Sequence, residues 1–323
     1  MNLLIIDWTY LLHRAYYSSI KWDFKNEKWE KSGVVFLGFR ILLSLLKHID
    51  YKEGIDKAII AFDIKGSKSY RLGLFPDYKG TRTSEKDEDF FKQIESFKTL
   101  INTTEIDLLE SPALEGDDIC GILAKWYKES FDKVYIYSWD KDYYQMLEKE
   151  NIEIIRPDFR GRLKNYTTED FKKEYENITT KQFIELKALM GDKWDNIKWI
   201  KFLWVKGWLK IIKKYWDLSK FLEDNDWIKM IPKKVRDEIL DKEKPYDYKI
   251  NWYWDKNITI REMLSINYKL AEFNYKMKGL KEKEKRLIQK SIKCLFQKKT
   301  NKEELKRLLE YWNINYEHYN YLV

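Results

Sequence analysis

The chain has 323 residues, a formal net charge of +8 and a hydrophobic fraction of 44%, which is enough for a substantial core. It lacks the run of ~20 uncharged apolar residues that a membrane helix needs, and Asp7 interrupts the first apolar stretch too early for a secretory signal. We therefore expect a cytoplasmic protein with no membrane partner. Two distant cysteines and three histidines argue against a zinc site, so any metal site should consist of carboxylates, which favour Mg²⁺ or Mn²⁺.

The charge is unevenly distributed along the chain. Residues 193–323 hold 31 Lys and Arg against 19 Asp and Glu, a net charge of +12, whereas residues 1–192 have a net charge of −4. An acidic N-terminal part followed by a basic C-terminal part is typical of a metal-dependent enzyme that acts on a polyanion. Solvated lysine-rich helix faces would give the same composition, so charge alone leaves both interpretations open.

Strands and helices alternate in the first half of the chain. Continuous apolar runs predict buried strands at Asn2–Asp7, Lys57–Asp63, Glu105–Leu109, Lys133–Asp140 and Ile152–Ile155. Helical spacing of apolar residues predicts helices at Gly33–Ile49, Asp87–Ile101 and within Pro112–Trp126. This alternation predicts an α/β fold, with a parallel sheet covered by helices on both faces.

The second half of the chain has a helical pattern. Thr180 is the predicted N-cap of a helix at Lys181–Met190. Further helices are predicted at Val205–Tyr215, Lys233–Asp241, Arg261–Phe273, Glu282–Gln297 and Lys302–Trp312. We predict two domains, an α/β core over residues 1–178 and a helical region over residues 179–323, and we expect the second to pack onto the first.

Acidic residues recur where the predicted strands end and the helices begin. Nine of them are candidate metal ligands: Asp7, Asp63, Glu115, Asp117, Asp118, Asp140, Asp142, Asp192 and Asp195. Carboxyl ends of parallel strands meet at one edge of the sheet, so acids distant in sequence can converge there. A single strand-end aspartate is more often a helix N-cap. Nine carboxylates that would repel one another predict instead a site for two divalent ions ~3.5–4 Å apart.

Five segments resemble the 5′-3′ exonuclease/flap endonuclease family, which includes the 5′-nuclease domain of bacterial DNA polymerase I and free-standing phage relatives. They read LLIIDWTYLLHRAYY, AIIAFDIKGSKSYRLGLFPDYKGTR, ALEGDDICGILA, YIYSWDKDYYQML and ALMGDKWDNI. They follow the family's order over roughly residues 1–220. The resemblance implies a PIN-like or resolvase-like nuclease core with a helical arch at about 65–90. It also implies a helix–three-turn–helix DNA-binding motif at about 180–216.

The resemblance also implies roles for individual residues. All nine acids match family metal-site acids. A tight catalytic set would contain Asp7, Asp63, Glu115, Asp117 and Asp118. A looser outer set would contain Asp140, Asp142, Asp192 and Asp195. Arg71 and Lys79 match basic positions where a cation can meet the scissile phosphate, and we expect them to be catalytic.

Basic and aromatic residues outside this set are expected to bind DNA. The candidates are Arg14, Tyr16, Arg82, Lys198, Lys201, Lys206 and Lys210. Tyr16 could stack on an unpaired base, but it fits a core aromatic equally well.

The loop DNIKWIKFLWVKGW occupies the place of the family's phosphate-gripping hairpin but lacks its glycines. Tryptophans stand at glycine or small-residue positions here and elsewhere: Trp8, Trp139, Trp194, Trp199, Trp204 and Trp216. They could be base-stacking platforms, core residues, or glycines encoded by reassigned UGA codons. Glycine is only 12 of 323 residues while tryptophan is 14, and full conversion would restore glycine to near its usual ~7%. The third interpretation is therefore favoured. The resemblance further implies a K⁺ ion in the hairpin at 197–204.

The implied function is a structure-specific 5′ nuclease that trims 5′ ends, flaps and RNA primers of forked or nicked DNA, using two Mg²⁺ or Mn²⁺ ions. Expected partners are 5′-flap, fork and primer–template DNA and RNA–DNA hybrid, with RNase H activity as a further option. We expect a monomer. The alternative is a catalytically weak relative that mainly binds forked DNA. A third option is an RNA-directed ribonuclease of similar sheet topology.

Overall fold

The computed structural model describes residues 1–23, 28–31, 33–52, 55–82, 88–197, 205–215, 249–253 and 256–314, and the single residues 220, 229 and 233. For residues 20–23, 28–31, 249–253 and 256–257 it describes the backbone alone. Within these residues, no helix has the length and apolar character that spanning a membrane would require.

In the described part of the chain, ten strands form one large sheet and two hairpins. In chain order they are β1 (Asn2–Asp7), β2 (Ile20–Asp23), β3 (Lys28–Lys31), β4 (Lys57–Asp63), β5 (Asp107–Ser111), β6 (Lys133–Tyr137), β7 (Ile152–Pro157), β8 (Leu163–Tyr166), β9 (Lys249–Tyr253) and β10 (Lys256–Thr259). The large sheet has the order β5-β4-β1-β6-β7-β8, and only β8 runs antiparallel to its neighbour. After β1, the chain first forms β4 and β5 on one side of β1 and then forms β6, β7 and β8 on its other side. The direction of winding therefore switches between β1 and β6, where α/β sheets place their ligand sites.

The described helices flank this sheet and continue beyond it. They are α1 (Trp8–Ser19), α2 (Val34–His48), α3 (Ser69–Leu74), α4 (Glu88–Asn102), α5 (Gly116–Tyr127), α6 (Thr168–Glu174), α7 (Thr180–Met190), α8 (Val205–Tyr215), α9 (Ile260–Ala271), α10 (Glu282–Lys293) and α11 (Lys302–Tyr311), with a 3₁₀ helix at Lys141–Met146. The N-cap of α7 is Thr179, one residue before the predicted Thr180. Its hydroxyl accepts from the Gln182 amide at 3.1 Å, and the Gln182 side chain accepts from the Thr179 amide in return.

Each face of the sheet is covered by its own apolar layer, because alternate strand residues point to opposite faces. Leu4 and Ile6 of β1 belong to the layer that contains α1, α2 and α4. Leu3 and Ile5 belong to the other layer, which contains α5, α7, α8, α9 and part of α10. The described helices α7, α8 and α9 thus share a core with the sheet, as expected, with α7 against the 3₁₀ helix and with α8 and α9 against α7. The division into two domains at residue 178 stays a prediction.

The predicted parallel sheet is confirmed, and β1 and β4 have the predicted bounds. Strand β6 ends at Tyr137 rather than at Asp140, because Asp140 caps the following 3₁₀ helix with its side chain. The sequence patterns did not predict β8, α6 or the β2–β3 and β9–β10 hairpins, and the last hairpin interrupts a region predicted to be helical. The predicted helix at Lys233–Asp241 lies almost entirely outside the described residues.

Candidate metal centre

Two adjacent strands place the first acids of the site. Asp7 ends β1 and Asp63 ends the neighbouring β4. Asp7 is buried, and its carboxylate accepts from the Ser138 hydroxyl at 3.0 Å and from the Thr9 amide at 2.9 Å. Burial, together with the nearby Asp63 carboxylate, raises the pKa of Asp7 to about 6. Asp63 accepts from the Gly116 amide at 2.5 Å, which ties the end of β4 to the start of α5.

Three further acids lie at the start of α5. Glu115 is its N-cap residue, and Asp117 and Asp118 stand in its first turn, where the helix dipole favours negative charge. Each offers one carboxylate oxygen, and these three oxygens lie within 4.8 Å of one another. Among the described residues this is the one group of acids gathered so closely. Because every donor is a carboxylate oxygen, the group fits a hard divalent cation.

Two cations contact this cluster and offset part of its negative charge. The Arg71 NH1 group donates to Glu115 and to Asp118, both at 2.7 Å, and its Nε donates to the Leu270 carbonyl at 3.2 Å. The Lys79 ammonium donates to the other Glu115 oxygen at 2.6 Å. Although burial opposes the effect, Arg71 and Lys79 lower the pKa of Glu115. Both residues predicted to be catalytic therefore lie at the acids, and Arg71 is buried there.

The four outer acids separate into two arrangements. Asp140 accepts from the Asp142 amide at 2.8 Å. The Lys187 ammonium lies 2.7 Å from Asp142 Oδ1 and 3.2 Å from Asp192 Oδ2. Asp195 instead binds Arg82 and accepts from the Tyr78 hydroxyl at 3.1 Å. The sequence analysis missed Lys187, which stands only five residues before Asp192. Lys187 lies on α7, and α7 leads into residues 191–197, called the acidic loop below because they include Asp192 and Asp195.

The described part of the predicted arch, at 65–82 and 88–90, holds α3, several turns and the start of α4. Its base is bound to the acidic loop: the Lys79 amide donates to the Asp195 carbonyl at 3.0 Å, and the Asn196 side chain donates to the Asp77 carbonyl at 3.0 Å. Lys79 has φ +57° and Asn196 has φ +58°. Non-glycine residues rarely adopt this conformation, and it is often found at functional sites.

The predicted DNA-binding residues have varied positions. Lys206 and Lys210 are exposed on α8, whereas Lys198 and Lys201 lie outside the described residues, as does all of the predicted 197–204 hairpin and K⁺ site except Ile197. Arg14 donates to the Tyr137 hydroxyl at 2.6 Å. Tyr16 is buried, and its ring centre lies 4.6 Å from that of Phe90, which matches the core interpretation.

Three of the unusual tryptophans lie in the described part of the chain beside the site. Trp8 is buried, and its indole N–H donates to Asp63 at 3.2 Å. Trp139 and Trp194 are 52% and 81% exposed. None of the three has a positive φ, so their backbone conformation does not itself require glycine. Trp199, Trp204 and Trp216 lie outside the described residues.

Comparison with known proteins gives consistent matches. The family model described as "5′-3′ exonuclease, N-terminal resolvase-like domain" matches residues 2–176. A 5′-3′ exonuclease of Halalkalibacterium halodurans is 31% identical over 223 residues, which cover 68% of this chain and 72% of that protein. DNA polymerase I of Bacillus subtilis is 30% identical over 226 residues, covering 70% of this chain but only 24% of the polymerase.

Solved structures share the fold. The phage T5 5′-exonuclease with bound zinc has a TM-score of 0.67 at 19% identity, covering 92% of this chain and all of that one. The phage T5 flap endonuclease in a pseudo-enzyme–product complex with DNA and metal ions has a TM-score of 0.64 at 20% identity, covering 97% of this chain and all of that one.

Proposed function

Because this chain belongs to the 5′-3′ exonuclease family, we propose that it is a structure-specific 5′ nuclease that hydrolyses phosphodiester bonds of forked or nicked DNA. The observation that carries the proposal is the close group of Glu115, Asp117 and Asp118, of which Glu115 and Asp118 are buried, beside the aspartates that end β1 and β4. Arg71 and Lys79 offset only part of the negative charge of this group, since two cations face three carboxylates. Buried carboxylates are costly unless they are paired or coordinate a metal, so the remaining charge supports a metal-binding use.

The cofactors we propose are two divalent ions, Mg²⁺ or Mn²⁺. The residues that would hold the first are Asp7, Asp63, Glu115, Asp117 and Asp118, and the outer acids Asp140, Asp142, Asp192 and Asp195 would take the second. When bound, such ions generate hydroxide from water and stabilise charge on the phosphate and on the departing oxygen. The K⁺ ion proposed for the 197–204 hairpin would instead help that loop to hold a duplex phosphate.

Lys79 is the residue best placed to meet the scissile phosphate. It lies on a turn at the base of the arch, and its ammonium contacts Glu115 at the acidic cluster. A cation there can stabilise the negative charge that develops on the phosphate during cleavage. Arg71 has a different part in this proposal. Its buried guanidinium holds Glu115 and Asp118 in place before any ion or substrate arrives.

The DNA duplex would bind along the basic second half of the chain. Lys206 and Lys210 are exposed on α8, which directly follows residues 198–204 in the chain, and exposed lysines of this kind can neutralise backbone phosphates. Arg82 is partly exposed at the arch base and could contact the 5′ strand. We propose 5′ flaps, forks, primer–template duplexes and RNA–DNA hybrids as substrates, with RNase H activity on the last. We also propose that the active form of the protein is a monomer. Residues at about 65–90 would form its helical arch.

The alternative, a protein that binds forks without cutting them, is less well supported. All nine acids of the proposed metal site are present, and Arg71 and Lys79 are positioned around three of them. A protein that only binds DNA has no need for this group, because uncompensated carboxylates repel the phosphate backbone.

The proposal is tested with a 5′-flap substrate labelled at its 5′ end. We expect release of the flap in Mg²⁺ and no release in EDTA, with the cleaved product bearing a 5′-phosphate. Binding of the fork without any divalent-dependent cleavage would favour the alternative instead.

A further inference from the structure

One cation of the site has no counterpart among the sequence predictions. Lys187, in the last turn of α7, extends its ammonium between Asp142 of the 3₁₀ helix and Asp192 of the acidic loop. The two N–O distances are 2.7 and 3.2 Å, and only 19% of the lysine side chain is exposed. The lysine therefore joins two segments of the outer acid set through a largely enclosed ion pair.

The carboxylate oxygen of Asp192 that does not face Lys187 already accepts two hydrogen bonds. Asp192 Oδ1 accepts from the backbone amides of Trp194 at 2.8 Å and Asp195 at 3.2 Å, while Oδ2 faces Lys187. The oxygen of Asp192 that remains for a cation is thus the one that Lys187 contacts. A divalent ion between Asp142 and Asp192 would have to take the place of the ammonium.

The inner and outer acids differ in readiness for an ion. Arg71 and Lys79 contact two of the inner acids in a similar way, but the inner acids Asp7 and Asp63 have no Lys or Arg within 4.0 Å in the described part of the chain. Glu115, Asp117 and Asp118 present three oxygens within 4.8 Å of one another, whereas no such group includes an outer acid among the described residues. Without Lys187, the carboxylates of Asp142 and Asp192 would repel each other at close range. The lysine therefore has two opposing effects, since it holds the acids together and it competes for them.

We propose that Lys187 is a resident cation of the outer metal site, whose ammonium an incoming divalent ion must displace. This inference rests on the proposed metal-dependent nuclease function and deepens it. The inner acids take an ion first, and the outer acids take theirs more weakly, at higher ion concentration. Lys187 is thus a positioning residue that sets the order and affinity of ion binding.

The test measures Mn²⁺ binding directly, through the electron paramagnetic resonance signal of free Mn²⁺, without DNA. For the native chain we expect one tight and one weaker site. In Lys187→Met, the weaker site should tighten by at least about tenfold, because a positive charge in the site has been removed. Tighter binding is not what general destabilisation would produce. The tight site should change little.

Lys213→Met is the matched control, since it removes a lysine that pairs at 2.7 Å with Glu176 on the surface. It should bind Mn²⁺ like the native chain. The double variant Lys187→Met/Asp192→Asn should lose the gain, because the outer site then lacks an acid. If Lys187→Met does not fold, Lys187→Gln keeps a polar group and makes the same test.

Unchanged or weaker Mn²⁺ binding at the second site in Lys187→Met would overturn the inference. So would a variant whose affinity for flap DNA falls while its Mn²⁺ affinities stay the same, because Lys187 would then be a phosphate contact. Failure of the underlying function would look different: the native chain itself would bind no Mn²⁺ and would not cleave a flap.

Discussion

Arg71 and Asp118 form a bidentate ion pair, with NH1 2.7 Å from Oδ2 and NH2 2.8 Å from Oδ1, and each side chain is only 3% exposed. The same guanidinium also binds Glu115, and the Leu270 carbonyl accepts from its Nε. Asp118 in turn accepts from the Asn274 amide at 2.7 Å. The segment that follows α9 thus helps to fix the centre of the acidic cluster. In this arrangement Arg71 holds Glu115 and Asp118 in place in the absence of substrate.

Arg71→Met should therefore lower the free energy of unfolding by roughly 3–5 kcal/mol, because Glu115 and Asp118 would remain buried without their main partner. Urea unfolding of the metal-free protein measures this loss. Arg307→Met is the control, since Arg307 pairs with Glu304 on the surface and its removal should change the free energy of unfolding far less. Equal losses in the two variants would contradict a structural role for Arg71.

Lys79→Met should act on the reaction more than on the fold. Glu115 keeps its bond to Arg71 in this variant, so the free energy of unfolding should change by much less than in Arg71→Met. Single-turnover cleavage at saturating Mg²⁺ should slow by roughly 10²–10³, the effect of losing a group that stabilises developing charge. Lys172→Met serves as control, since it removes a surface lysine that pairs with Glu169. A cleavage rate equal to that of the native chain would remove Lys79 from the catalytic set.

Asp7 should make the metal-free protein less stable as pH rises. Its pKa of about 6 in the folded protein exceeds the ordinary 3.8, so the folded state holds this proton more tightly than the unfolded chain does. The resulting stabilisation is complete below pH 4 and is lost as pH rises to about 6. Asp7→Asn lacks this titration. Its free energy of unfolding, relative to the native chain, should rise by about 3 kcal/mol across that window.

Urea unfolding in EDTA at pH 4 and pH 7 makes this comparison. Addition of Mg²⁺ at pH 7 should stabilise the native chain more than Asp7→Asn, since the ion offsets the carboxylate repulsion. If the difference in free energy of unfolding between the two proteins stays constant from pH 4 to pH 7, the pKa of Asp7 is not raised in the folded protein.

The tryptophan question has a direct answer in the gene. If UGA codons are read as glycine in the native organism, UGA should be found at Trp8, Trp139, Trp199 and Trp204. Mass spectrometry of the native protein should then show glycine at those positions. UGG codons there would refute the hypothesis. A glycine-containing hairpin should also bind duplex DNA more tightly than the tryptophan-containing one, because the backbone can approach a phosphate.

The sheet was predictable because its strands are continuous apolar runs with clear ends, as in Asn2–Asp7 and Lys57–Asp63. Such runs report burial on both faces, which is a local property of sequence. The β2–β3 hairpin was not predictable in this way, since WDFKNEKWE contains no Asn-Gly or Asp-Gly pair, the strongest short-range signal of a hairpin turn. The predicted end of β6 at Asp140 was also wrong. The strand ends at Tyr137, and Asp140 is instead the N-cap residue of the following 3₁₀ helix.

The positions of the acids could be predicted, but their partners could not. Strand ends and the start of α5 gave Asp7, Asp63 and Glu115, since those positions follow from secondary structure alone. The contact of Lys187 with Asp142 depends on how α7 packs against the 3₁₀ helix. The bond of Asp195 to Tyr78 likewise joins residues 117 positions apart. No period or motif in a single sequence reports such tertiary contacts.

The most direct test of the proposed nuclease is Asp63→Ala, measured for both cleavage and binding of a 5′-flap substrate. Asp63 contacts the start of α5 through the Gly116 amide, but it has no Lys or Arg within 4.0 Å among the described residues, so its loss leaves no buried cation unpaired. We predict that the variant binds the flap substrate about as tightly as the native chain and does not cleave it in Mg²⁺. Near-normal turnover of the flap by Asp63→Ala would contradict the account.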